Sequence, residues 1–147
     1  MTERIERHAQ TDPVAKRLMT LRGVGSLTAS ALAGVLGDAQ AFKRGRDFAA
    51  SLGLTPRQHS TGGRDRLLGI SKRGDRYLRT LLVHGARAVL QFSATKDDNL
   101  SQWLTRLAER KHPNVAAVAL ANKTARIAWA ITCHDSVYDP DQAAYTV

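Results

Sequence analysis

The sequence predicts an all-α domain interrupted once by a long basic loop or short hairpin between helices. Three observations predict it. Apolar residues recur at helical spacing in segment after segment, and Asp, Ser, Pro and Gly stand where such segments start and stop. One stretch, residues 54–73, has no apolar periodicity at all.

In chain order, a short helix is expected over 13–21, with Asp12 as cap and Pro13 at the first position, where a missing N–H costs nothing. After Gly23-Val24-Gly25, Ser26 can cap a second helix reaching about Leu36. It carries Leu27, Ala31, Leu32 and Val35 at helical spacing, and Gly37 stops it. A third helix runs from about Gly45 to Leu52 and ends at Gly53. Residues 54–73 hold Pro56, Gly62, Gly63 and Gly69; loops this long are uncommon inside a compact domain and are often functional. From Asp75 to about Phe92, Tyr77, Leu78, Leu81, Leu82, Ala86, Val89 and Leu90 form an apolar stripe. Arg76, Arg79, Val83 and Arg87 recur on its other side. An amphipathic helix from about Asp98 to Lys111 turns Leu100, Trp103, Leu104, Leu107 and Ala108 inward. The last helix, from Pro113 to about Cys133, is apolar nearly all round and belongs in the middle of the core or against a partner. The tail beyond His134 is acidic and expected to be loose. The chain thus divides into a helical lead-in over 1–15, a main domain over 16–134 and a tail over 135–147.

At 147 residues the chain is long enough for one domain with a real core. Its single cysteine, Cys133, cannot form an internal disulfide, which fits a reducing cytosol. No run of about 18 apolar residues exists, so no membrane span is expected. The charged segment Met1 to Gln10 lacks the pattern of a secretory signal. The net charge is +9, and the surplus is concentrated: residues 43–87 hold eleven basic side chains against Asp47, Asp65 and Asp75, net +8. Nine of the eleven are arginine, whose planar fork matches phosphate geometry. That concentration favours a polyanion partner over an evenly solvated face.

Two segments carry possible chemistry. The first, Leu21-Arg22-Gly23-Val24-Gly25-Ser26-Leu27-Thr28-Ala29, resembles a helix-hairpin-helix motif. Two glycines allow a tight turn close to a phosphate, Val24 plugs the turn into the core, and the amides opening the next helix point at the anion. Such a grip holds the backbone and reads no sequence. Gly25 is expected not to tolerate a larger side chain. The second segment, running from Leu52 to Arg79, packs hydroxyls, an imidazole and arginines into a glycine-bearing loop. A serine hydroxyl attacks only where a base accepts its proton or cations stabilise the reacting phosphate. His59, Arg57, Arg64 and Lys72 can supply those functions, and Ser60, Thr61 and Ser71 can also simply cap helices or touch phosphates. The loop is not a P-loop, because no Gly-Lys-Ser/Thr follows its glycines. Asp97-Asp98 reads as a helix cap rather than a metal site, and His8, His59, His84, His112, His134 and Cys133 show no ligand spacing.

Gly23-Val24-Gly25, then Gly-Leu-Thr-Pro-Arg-Gln-His from Gly53, then Gly-Ile-Ser-Lys-Arg-Gly-Asp-Arg-Tyr-Leu-Arg-Thr-Leu-Leu-Val-His-Gly-Ala-Arg ending at Arg87, resemble the C-terminal domain of the DEDD (Piv-like) bacterial insertion-sequence transposases. The resemblance covers roughly residues 16–133. It implies DNA transposition, with DNA as partner, a guide RNA in at least some members, oligomers of the full-length protein, no membrane, and the bacterial cytoplasm and nucleoid as location. It also implies a separate N-terminal RuvC-like domain with four acidic ligands for a divalent metal such as Mg. No cofactor is expected in the present chain, where the acidic residues show no spacing that rebuilds such a quartet. By itself the chain is expected not to complete recombination.

In this family the nucleophilic serine commonly stands just before a glycine. Thr61 holds that position here and Ser60 precedes it, so the expected catalytic residues are Ser60, favoured, and Thr61. The expected nucleic-acid contacts are Gly23, Val24, Gly25, Arg57, His59, Arg64, Arg66, Ser71, Lys72, Arg73, Arg76, Arg79 and Arg87. Their guanidinium groups are expected to gather in space around a phosphodiester strand. The alternative is a non-catalytic nucleic-acid-binding module, either a truncated remnant or a helix-hairpin-helix structural protein.

Overall fold

The computed structural model of the chain describes residues 2–61, 64–70 and 74–139, with the backbone alone over 56–61 and 64–70. Among the described residues there are seven α-helices, one 3-10 segment and one hairpin: α1 (Thr2–Thr11), α2 (Pro13–Leu18), α3 (Ser26–Val35), the 3-10 segment (Leu36–Ala41), α4 (Gly45–Ser51), β1 (Pro56–Thr61), β2 (Arg64–Ile70), α5 (Arg76–Ser93), α6 (Asn99–Arg110) and α7 (Pro113–Cys133). The helical class and the hairpin alternative for 54–73 both match the sequence reading.

Caps explain most boundaries. The Asp12 side chain accepts from Val14 N at 3.1 Å and opens α2 at Pro13. Asp75 accepts from Leu78 N at 3.0 Å and opens α5. Asp98 opens α6, so that carboxylate is a cap. His112 caps α7, its Nδ1 accepting from Asn114 N at 3.1 Å. Gly53, at φ 74°, turns the chain out of α4 in a left-handed conformation that suits glycine.

Helix α7 is the hub, packing against α2, α4, α5, α6 and the 3-10 segment. Small residues make this possible: Ala116, Ala117, Ala121, Ala125 and Ala128 are all fully buried, so neighbouring backbones approach closely. Helix α4 lies antiparallel to it. At one end a Cβ on Gly45 would stand 3.1 Å from the Arg126 carbonyl oxygen; at the other, Asn122 donates to the Leu54 carbonyl at 3.1 Å. Helices α1 and α2 share this core through Ala9, Ala15 and Leu18, all fully buried.

Several expectations need correction. The N-cap of α3 is Gly25, not Ser26, and no side chain bonds the first-turn amides. The buried face of α3 carries Ala29, Leu32 and Ala33, whereas Leu27 and Val35 are exposed, because α1, α2 and α5 approach the helix from a different side. Helix α3 ends at Val35, two residues before Gly37, and the 3-10 segment that follows is kinked at Asp38, whose φ −121°, ψ 76° is not helical. Tyr77 leaves the predicted stripe and is 59% exposed. Near the end, Asp135 pairs with Arg17 and Tyr138 packs on the core, so that part of the tail is held; residues 140–147 lie outside the described residues.

Candidate nucleic-acid interface

The turn between α2 and α3 is clamped from two sides. Gly23 adopts φ 85°, and a Cβ there would stand 3.0 Å from the Gly85 carbonyl oxygen of α5. Conversely, a Cβ on Gly85 would fall 2.0 Å from the Gly23 carbonyl oxygen. Two glycines thus let a turn and a helix meet backbone to backbone. On the other side Arg22 Nη1 reaches Asp98 Oδ2 at 2.7 Å and Ser101 Oγ at 2.8 Å, tying the turn to the start of α6. Burial alone would raise the Asp98 pKa, but hydrogen bonds from the Ser101 hydroxyl and amide and the Arg22 charge outweigh it and hold it below the ordinary value. Val24 is buried as the plug of the turn, so its side chain faces the core. Gly25 has open space around its Cβ position and an ordinary φ of −90°, contrary to the expectation that it resists substitution. With no side-chain cap, the first-turn amides of α3 are left to water or to an anion.

The hairpin sorts the second segment by register. β1 and β2 pair antiparallel, with Gln58 opposite Leu67, His59 opposite Arg66, Ser60 opposite Asp65 and Thr61 opposite Arg64. The register shifts between Pro56 and Gln58, so Leu68 and Gly69 together stand opposite Arg57. A strand alternates faces residue by residue, and directly paired positions share a face. Positions 57, 59, 61, 64 and 66 therefore fall on one face: three arginines, a histidine and Thr61. Positions 58, 60, 65 and 67 fall on the other, where the position of Ser60 pairs with that of Asp65. Ser71, Lys72 and Arg73 lie outside the described residues.

On α5 the arginines are not equivalent. Arg79 is half-buried and donates Nη1–H to the Leu52 carbonyl at 3.2 Å, satisfying the C-terminal end of α4. Arg79→Ala is expected to lower stability by about 1 kcal/mol, a typical net hydrogen bond, read as a melting shift of a few degrees. Unchanged melting would show that this tie is idle. Arg76 and Arg87 are exposed and, among the described residues, have no carboxylate partner.

The expected single patch is divided. At about 100° per residue, Arg87 and Arg76 lie about 200° and about 180° around α5 from Gly85, the residue that meets the glycine turn. The turn and the exposed arginines therefore sit on opposite sides of one helix. Sequence spacing missed this because it records neighbours along a helix and not what packs on each side. It also missed Arg22, whose only signal is its place before Gly23, and the buried Lys123 three residues before Arg126. Among the described residues no three His, Cys, Asp or Glu side chains are grouped as a metal site would need, and no helix is long and apolar enough to cross a membrane.

Comparison with known proteins adds a lineage. The profile of the Transposase IS116/IS110/IS902 family matches residues 15–102. A "Probable family 20 transposase" of Pseudomonas aeruginosa is 54% identical over 140 residues, covering 95% of this chain and 41% of that protein. The "Transposase for insertion sequence element IS1328" of Yersinia enterocolitica is 49% identical over 140 residues, 92% of this chain and 42% of its own length. The corresponding figures for the "Transposase for insertion sequence element IS1111A" of Coxiella burnetii are 46% over 136 residues, 92% and 37%. The chain spans about two fifths of the length of these relatives.

Proposed function

The chain belongs to the IS116/IS110/IS902 transposase family, and on that premise we propose that it is the DNA-binding, nucleophile-bearing C-terminal domain of a DEDD-type transposase acting in DNA transposition in the bacterial cytoplasm. The observation that carries this reading is the hairpin register, which groups Arg57, His59, Thr61, Arg64 and Arg66 on one face of a two-stranded ribbon. A hydroxyl whose strand position shares a face with those of three arginines and a histidine suits an attack on phosphorus, which requires charge to stabilise the pentavalent phosphate and a base to take the proton. The same pleat favours Thr61 over Ser60 as the attacking group. Its oxygen would bond to phosphorus as the bridging P–O bond breaks, the proton passing through a base such as His59 to the departing oxygen. A divalent-metal step is not part of this reading of the hairpin. That function goes to the RuvC-like domain which the family resemblance implies. The exposed Arg76 and Arg87, and the uncapped start of α3, serve as sequence-independent phosphate contacts on two sides of α5.

Binding to duplex DNA across a salt series tests this. Several phosphate contacts predict a loss of affinity of about a hundredfold or more between about 50 and about 200 mM salt. Arg76→Ala with Arg87→Ala should weaken binding for every sequence and lower the salt slope by about two. A flat salt response in the wild-type chain would end the DNA-binding reading.

A further inference from the structure

The second concentration of cations lies between the start of α4 and the C-terminal half of α7. Arg44, Arg46, Lys123 and Arg126 line one groove of about 350 Å³, with Trp129 in its wall. Among the described residues no carboxylate lines it. Asp47 reaches Arg44 from beside the groove at 3.4 Å, an exposed pair of little strength. The groove opens at the Gly45 end of α4, while the hairpin leaves from the Leu52 end; seven helical residues separate them by about 10 Å.

Holding these charges together costs the fold. Lys123 is 4% exposed, and its ammonium nitrogen sits 4.7 Å from the centre of the Trp103 ring. Burial lowers its pKa, and the charge of Arg126 lowers it further. Like charges three residues apart on one helix destabilise it. An anion entering the groove converts that repulsion into attraction. The volume is at the small end of ligand sites, enough for a phosphate and its sugar but too small for a duplex.

We propose that this groove is a second phosphodiester site, gripping one nucleic-acid strand through Arg44, Arg46 and Arg126 at a place separate from the hairpin face. It rests on the DNA-binding reading above. The protein supplies its own reporter, since Trp129 lines the groove and Trp103, its other tryptophan, lies under the Lys123 ammonium. Titrating the chain with a single-stranded oligodeoxynucleotide should change tryptophan fluorescence. Arg46→Ala with Arg126→Ala should abolish that change, weaken binding about tenfold and lower the salt slope by about two. The lysine pair, Arg46→Lys with Arg126→Lys, should retain most of the affinity. Arg76→Ala with Arg87→Ala should weaken overall binding and leave the tryptophan response in place.

A folded alanine pair that binds with the wild-type affinity and slope overturns the proposal, as does an unchanged tryptophan signal in the wild type. Should the alanine pair fail to fold, Arg46→Ala alone decides, because this exposed side chain makes no hydrogen bond among the described residues; its slope should drop by about one. Inorganic phosphate that saturates the tryptophan response as well as the oligonucleotide does, at equal phosphate concentration, would make this a free-anion site and overturn the strand assignment. Wild-type chain that binds no oligonucleotide sinks both readings. Loss of binding in the Arg76/Arg87 pair, with none in the Arg46/Arg126 pair, sinks only this one.

Discussion

Gly85→Ala is expected to lower the melting temperature by about 10 °C, although the site lies inside an 18-residue helix where alanine is the best helix former. Propensity alone would make the change stabilising by up to about 1 kcal/mol. Packing reverses the sign. The added carbon would lie 2.0 Å from the Gly23 carbonyl oxygen, and both partners are backbone, so no side-chain rotation relieves the clash. Either α5 moves off the turn or the turn, held by Arg22 on Asp98, unwinds. A cost of about 3 kcal/mol or more follows from overpacking of this severity. Gly25→Ala, two residues along the same turn, faces open space at an ordinary φ and should change stability by about 1 kcal/mol or less. Thermal melts of the two variants make the comparison. Equal melting temperatures would mean that α5 and the turn do not meet through Gly85.

The second large effect concerns the attacking hydroxyl. When the chain is combined with the acidic metal domain, a divalent metal, guide RNA and element-end DNA, a covalent protein–DNA adduct should form. Thr61→Ala should reduce it below detection, Thr61→Ser should keep it, and Ser60→Ala should leave most of it. DNA affinity measured alongside should be nearly unchanged in all three, since neither hydroxyl carries charge. The register makes Thr61 the choice: its position shares a face with Arg57, His59, Arg64 and Arg66, while the position of Ser60 pairs with that of Asp65. A carboxylate beside the nucleophile would repel the phosphate it must attack. An adduct lost only in Ser60→Ala would restore the serine. One that survives both alanine variants would place the chemistry outside this hairpin. Absence of any adduct in the wild type would leave a nucleic-acid-binding module without chemistry.

Much of the helical framework was legible in the chain. Asp12-Pro13, Asp75 and Asp98 start helices in this structure because a short acidic side chain at the N-cap bonds the first-turn amides. The class of the family was legible too, through the residues from Gly53 to Arg87 and the match over 15–102. Side assignments fared less well. Tyr77 fits an apolar stripe at helical spacing yet is exposed, since among the described residues no element covers that edge of the stripe. Arg79 belongs by spacing with Arg76 and Arg87, yet its guanidinium closes the end of α4.

What the sequence determined alone is therefore local: where helices begin, that the described residues between 54 and 70 form no helix, and that positive charge accumulates in the middle of the chain. These properties depend on caps, periodicity and composition, which act over a few residues. Only the tertiary structure decided which glycine meets another backbone, which of the described arginines lack a carboxylate partner, and that the exposed α5 arginines lie on the side of that helix away from the glycine turn. Those outcomes depend on close approach between residues far apart in the chain, Gly23 with Gly85, Arg22 with Asp98, Gly45 with Arg126. Contact of that kind is a property of packed backbones, and no spacing rule along one segment encodes it.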